Sequence, residues 1–446
     1  MNLLSLRRNQ TMKHDHKNTE VQKILACLVT LMVFLMPSFA AGQGPIIPGN
    51  VLSLQECIDI ALKNHPDIKG AFHTVRIGES RIGQAQSDYY PQIESQSGYS
   101  RSGSHYSGRS GTSASNQYSS SINLRQNIYD FGRRSARNQI AELNRDSYQE
   151  DMGEISAIVI LRVKQAYYSV LQAAENTSVA QKSVDQFQAH LELANAFFEV
   201  GLKPKFDVTK AEVDFSNAKL DLIRAENTLR ITKATLNNAM GMPGAPDYHL
   251  ENNLFPEEID LSLESSLNRA YENRHDLKSI LLRQESAQKN LDFNRSGHYP
   301  TITGNASHGY GGSEFPLGDG WSFGGYLNIP IFSGFLTQSQ ILEAKENIAV
   351  ITAQVESVKQ NIRLEVEQAV SNLREAISRI ETTDVIVRQA EENSELAEGR
   401  YRSGVGTPIE VTDALLALNH AQISRIAALT DFKTRQAVLE KAIGIK

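Results

Sequence analysis

Phe198-Glu199-Val200-Gly201-Leu202-Lys203-Pro204-Lys205-Phe206-Asp207-Val208-Thr209-Lys210-Ala211 has a counterpart near the end of the chain, Tyr401-Arg402-Ser403-Gly404-Val405-Gly406-Thr407-Pro408-Ile409-Glu410-Val411-Thr412-Asp413-Ala414. Each stretch ends a long run that is poor in helix breakers. Each places a glycine six residues ahead of an acid, with a valine next and an alanine three further on. Glycine there lets the backbone turn through φ > 0, so both stretches read as reversals between two helices.

Working outward, the rest of the chain is also written twice. Leu52-Ser53-Leu54 returns as Leu261-Ser262-Leu263, and the same offset pairs Ala61 with Ala270, Asn64 with Asn273, Asp67 with Asp276 and Tyr90-Pro91 with Tyr299-Pro300. Both copies close alike, on Ala239-Met240-Gly241 and Ala442-Ile443-Gly444. The expected organisation is a leader over 1–40, a first repeat over 41–241 and a second over 242–446.

No Pro or Gly occurs from Glu154 to Val200 or from Phe335 to Glu398. The pattern predicts helices over Arg133–Glu199 and Leu336–Arg402, each about 100 Å long at 1.5 Å per residue. Apolar residues step by alternating threes and fours, as in Val163, Ala166, Val170, Ala173 and in Ile341, Ala344, Ile348, Ile351, with a four-residue slip from Ile362 to Val366. That rhythm keeps one stripe against a neighbouring helix, and the slip locally unwinds the supercoil. By itself it also suits an ordinary coiled-coil rod.

The segments between the helices change period. Gln92–Ser100 and Tyr118–Ile128 flank a Gly/Ser stretch over 101–116, and Thr301–Tyr310 and Trp321–Phe332 flank 311–320. These predict β-hairpins over 92–128 and 301–332. In the last strand Trp321, Phe323, Leu327, Ile329 and Ile331 alternate with Ser322, Gly324, Tyr326 and Asn328. One apolar and one polar face suit a strand between lipid and water, and equally a half-buried hairpin. Gln92, Glu94 and Gln96 make the first strand a poor example.

The N-terminus carries Arg7, Arg8, Lys13, Lys17 and Lys23, then the apolar run Ile24–Met36, then Ser38-Phe39-Ala40-Ala41. That is the grammar of a secretory signal peptide, a retained anchor being the other reading; Met1 and Met12 are both possible starts. Removing 1–40 leaves a chain more acidic than the net −6 of the whole, which argues against nucleic acid as a partner. Cys27 falls in the apolar run, so Cys57 stands alone and no internal disulfide is expected. The histidines are scattered, and Gly309-Tyr310-Gly311-Gly312 lies in a strand context, so no catalytic residue, metal or cofactor is called for.

Four strands cannot close a barrel, and open edges are not tolerated in lipid. Three copies would supply twelve strands and would bury helix stripes that one copy leaves bare. With the twin helices, the Tyr-Pro strand entries and the Gly-x-x-x-x-[Phe/Ile]-[Asp/Glu]-Val-x-x-Ala turns, the chain resembles the TolC-like outer-membrane efflux family from about Leu52 to Ile445. The resemblance implies an α+β membrane protein: a trimeric 12-stranded β-barrel continuous with a long α-helical periplasmic barrel, internally duplicated. It implies an outer-membrane location in a Gram-negative cell, a periplasmic adaptor protein and an inner-membrane pump as partners, and efflux or type I secretion as the task.

The same resemblance makes Val200, Gly201, Leu202 and Ser403, Gly404, Val405 adaptor-docking tip turns. It makes Asp207, Glu410 and Asp413 the periplasmic gate, with threefold symmetry turning each acid into a ring. Simple chain reversal explains the glycines as well, and the helix macrodipole favours acids such as Asp207 and Glu410 at those positions. The family usually has Asp at 410, Leu at 412 and a basic residue at 406, where this chain has Glu410, Thr412 and Gly406. Arg133-Arg134 reads as a rim inside the barrel or as a solvated helix start. The competing function is a structural periplasmic or surface coiled coil without transport.

Overall fold

The computed structural model describes residues 49–105, 112–255 and 261–445. The expected leader, Cys27 and the middle of the first Gly/Ser stretch lie outside the described residues. In chain order the elements are β1 (Val51–Leu52), α1 (Leu54–Asn64), α2 (Pro66–Gln86), β2 (Gln92–His105), β3 (Thr112–Tyr129), α3 (Arg133–Glu199) and α4 (Lys205–Ala239). There follow β4 (His249–Leu250), α5 (Leu263–Asn273), α6 (His275–Arg295), β5 (Thr301–Gly312), β6 (Gly318–Asn328), α7 (Leu336–Arg402) and α8 (Pro408–Ala442).

Helices in corresponding places have equal lengths: 11 residues for α1 and α5, 21 for α2 and α6, 67 for α3 and α7, and 35 for α4 and α8. Local chemistry starts them alike. Ser53 caps α1 in a capping box with Glu56, and Ser262 accepts from the Ser265 amide at the head of α5. Each long helix follows two consecutive left-handed residues, Phe131-Gly132 before α3 and Gly334-Phe335 before α7.

The C-terminal part of α3 runs back along α4, and its N-terminal part lies against α2 and α6. There Arg81 donates to Tyr148, Ser147 and Ser279 share a hydrogen bond at 3.0 Å, and Ser286 donates to Asn144. Gly153 makes room for His275: a Cβ there would stand 2.5 Å from its Nδ1, which pairs with Glu150 at 2.7 Å. The stripes meet as predicted, and Ile362, Val366, Ala369, Leu373 and Ala376 across the four-residue slip are all buried. Arg274, almost wholly buried, ties α5 and α6 to the body through Asp276, Glu365 and the carbonyl of Ala442. Cys57 is a packing residue, and burial pushes its thiol up to about 12.

The sheet runs β2-β3-β5-β6, all antiparallel, leaving β2 and β6 as edges. Its strands reach further into the Gly/Ser stretches than predicted, to His105 and back to Thr112 and Gly318. Their pairing is backbone to backbone, which asks little of side chains. The last strand stops at Asn328, opposite Thr301, so Ile329 and Ile331 lie beyond the ladder. Pro300 and Pro330, which have no N–H to offer, flank that limit.

Directly paired residues share a face. One rung is Ile93–Leu124–Ala306–Phe323, and the next is Ser95–Ile122–His308–Trp321. On the opposite face stand Glu94–Asn123–Ser307–Ser322 and Gln92–Arg125–Asn305–Gly324. The polar residues that spoil the first strand by sequence are therefore its contribution to an all-polar face. Phe323 is 81% exposed and Trp321 79% on the apolar one. Aromatic side chains gather at both ends of the four-stranded part of the sheet. Tyr118 contacts Tyr99 and Phe315 level with the β5–β6 turn, and Phe131 contacts Tyr129 and Tyr299 at the helical end.

Candidate functional site

At the α3–α4 and α7–α8 reversals the two copies use the same hydrogen bonds. Leu202 N donates to Phe197 O and Gly201 N to Phe198 O; Val405 N donates to Arg400 O and Gly404 N to Tyr401 O. Each is a Schellman cap, with Gly201 at φ 75° and Gly404 at φ 81°. The caps turn apolar side chains outward: Val200, Leu202, Phe206, Val405 and Ile409 are exposed, Val405 at 70%. Ser403 is held locally, donating to the Arg400 carbonyl.

The three predicted acids occupy three different environments. Glu410 is half-exposed in the first turn of α8, where its amide is capped by Thr407 and its carboxylate accepts from Arg400 Nε at 3.1 Å. The hydrogen bond from Arg400 holds that carboxyl below its ordinary range. Asp413 is exposed with no ion pair among the described residues. Asp207 is buried, and among the described residues it too has no ion pair.

The acid that does bridge the two helical hairpins, α3–α4 and α7–α8, is Asp214, which the sequence reading missed. It is buried on α4, takes two hydrogen bonds from Lys210 Nζ at 2.5 and 2.6 Å, and accepts from Thr412 Oγ1 of α8 at 2.8 Å. Thr412, a departure from the family pattern, thus has a definite partner. So does the other departure: Gly406 lies so close to Arg400 and Tyr401 that a Cβ would meet the Tyr401 nitrogen at 2.8 Å. The cation there comes from the first reversal, because Lys203 Nζ donates to Gly406 O at 3.2 Å and stands 5.2 Å over the Tyr401 ring. Tyr401 itself is fully buried, 5.1 Å from the His190 ring. A charged residue on the flank of an apolar stripe, as Asp214 is between Ala211 and Ala218, was the available signal.

Arg134 is not a solvated helix start, its side chain being only 13% exposed. It pairs with Asp130 at 2.9 Å, donates to the carbonyls of Asn127 and Ile128, and stacks over Tyr89 at 4.9 Å, clamping the end of β3 to the head of α3.

The profile of the family described as outer membrane efflux protein matches residues 57–242 and 266–445. The chain belongs to that family. Membership makes it an outer-membrane protein of the efflux and secretion channels, a family of channels and not of enzymes. The outer membrane protein TolC of Escherichia coli (strain K12) is 24% identical over 95% of this chain and 87% of its own. The protein CyaE of Bordetella pertussis is 24% identical over 88% and 84%. In fold, the open state of the Neisseria gonorrhoeae MtrE outer membrane channel is similar at a TM-score of 0.75, with 22% identity over 88% of this chain and 89% of that one.

Proposed function

We propose that three copies form a twelve-stranded barrel in the outer membrane over a helical tunnel, a passive exit duct fed by a periplasmic adaptor and an inner-membrane pump. The observation that carries this reading is the sheet. It has two long unpaired edges, one face that turns Ile93, Trp321 and Phe323 outward among a few polar residues, and a polar face behind it. Lipid accepts no open edge, and lateral pairing of β6 with β2 of a neighbour removes both edges at once. The aromatic ends match the two interfaces of a bilayer, with Trp321, Phe323 and Leu327 facing the acyl chains. Ile329 and Ile331 then fall at the lower interface.

Helix faces support the same assembly. Val213, Leu220, Ile223 and Ile231 of α4, with Leu342, Val350 and Leu364 of α7, stay exposed on the single protomer. A soluble stalk would have no use for the outward apolar rungs.

The two reversals form the periplasmic tip. Exposed Val200, Leu202 and Val405 around Gly201, Ser403 and Gly404 supply the adaptor-docking surface, and Asp207, Glu410 and Asp413 line the gate. In this reading 1–40 is removed on export, and 41–241 and 242–446 are the two structural copies. The test is single-channel conductance of the purified mature protein in a planar bilayer. Discrete openings, increased by Glu410→Ala with Asp413→Ala, are expected. Correctly assembled trimers that pass no current even with those acids removed would sink the proposal.

A further inference from the structure

His190 sits on α3 where both hairpins meet, 6% exposed, against Tyr401 of α7. Its Nε2 and the Tyr401 hydroxyl are both buried and, among the described residues, both lack a hydrogen-bond partner. Two unpaired buried polar atoms in one joint call for an explanation. Hydrogen bonding does not hold this joint at its centre; the bonds that cross it lie on the flanks, Thr412 to Asp214, Lys203 to the Gly406 carbonyl and Asn419 to Ser183.

We propose that His190 is a proton-operated wedge: neutral, it packs against Tyr401 and keeps the two hairpins together, and protonated, it parts them and opens the periplasmic entrance. The inference rests on the duct reading above and adds a control to it.

The charged and titratable groups around the ring set the direction. From α4 come Asp207, Lys210 and Asp214, from α7 Glu398 and Tyr401, and from the first reversal Lys203, which stands over Tyr401. An imidazolium would be welcome if the acids were free to meet it. Asp214 is already engaged by Lys210 and Thr412, and among the described residues no acid hydrogen-bonds His190. Burial outweighs the acids, so the imidazole titrates below its ordinary value while packed. A base whose pKa is depressed in the closed joint binds fewer protons there than when opened to water. The closed form is therefore fully favoured above the free imidazole's range and loses ground as pH falls through it. Each pH unit below that range shifts the balance by up to about tenfold per protomer. A cavity of about 180 Å³ beside the joint, lined in part by Ser183, Phe187, Asp214 and Asn419, gives water its way in.

The experiment compares bilayer conductance of wild type and His190→Gln trimers, the acid rings being common to both, from about pH 7.5 to about pH 5.5. Wild type should open several-fold more often at the acid end, and the glutamine variant should not. A wild type whose opening is flat, an unchanged response in the variant, or a His190-dependent closure on acidification would each overturn the proposal. The last result would mean that Glu398 and Asp207 clasp the imidazolium. A measurement without any variant stands behind it: amide exchange over 184–194 and 398–402 should rise on acidification beyond the intrinsic rate change, and absence of that rise would equally refute it. Current at any pH upholds the duct whatever His190 does.

Discussion

At the scale of single residues, pairing sets an acid's influence more than position does. Glu410 and Asp413 lie three apart on one helix, yet Arg400 neutralises the first and leaves the second bare. Asp413→Asn should therefore lower cation selectivity, read as reversal potential across a salt gradient, well beyond what Glu410→Gln does; equal effects would refute this ordering. The same principle limits what the sequence can tell. The helix-start acids and both glycines could be read from local pattern. The partners of Asp214, Thr412, His190 and Tyr401 could not, because each finds its neighbour on another helix, from Tyr401 beside His190 to Thr412 bonded to Asp214. Helix registry between copies so distant in sequence is decided by packing along the whole stripe, which a local motif does not display.

Among the elements, the long helices were legible almost to the residue. Breaker-free runs, stripe rhythm and a capping glycine all end at one place, and agreement between such signals fixes a boundary. The strands were harder. Glycine and serine carry little preference for extended structure, so β2 and β3 continue through sequence that reads as loop. Facing also needed the register: Ile93 looks isolated until it joins Leu124, Ala306 and Phe323 in one rung. That rung makes a sharp prediction. Phe323→Arg places a charge toward lipid at a cost of about 2–4 kcal/mol per copy, more than about tenfold in partition, whereas Ser322→Arg points to water. Membrane-inserted protein, quantified after fractionation, should fall steeply for the first and barely for the second. Similar yields of both would put the faces the wrong way round.

For the whole molecule, duplication is what makes the assembly economical. Two copies of one plan give a protomer with matching reversals, matching long helices and a pair of hairpins in one sheet. What neither copy supplies is a cover for the exposed faces of α4 and α7. Ile223→Glu would bury an unpaired charge in each of three contacts, at about 3–5 kcal/mol apiece. On a non-boiled denaturing gel the high-mass band should give way to monomer; a band unaffected by the change would show that this face meets water instead.

The unmatched borders of the sheet also bear on how such a molecule is made. A newly delivered polypeptide carries two adhesive rims through a compartment where other partly built barrels present rims of their own, and it must avoid them until two identical chains arrive. Completing the ring depends on encounters between equals, so its rate falls faster than the supply of chains. At low synthesis the cell would hold stranded single chains rather than proportionally fewer finished pores.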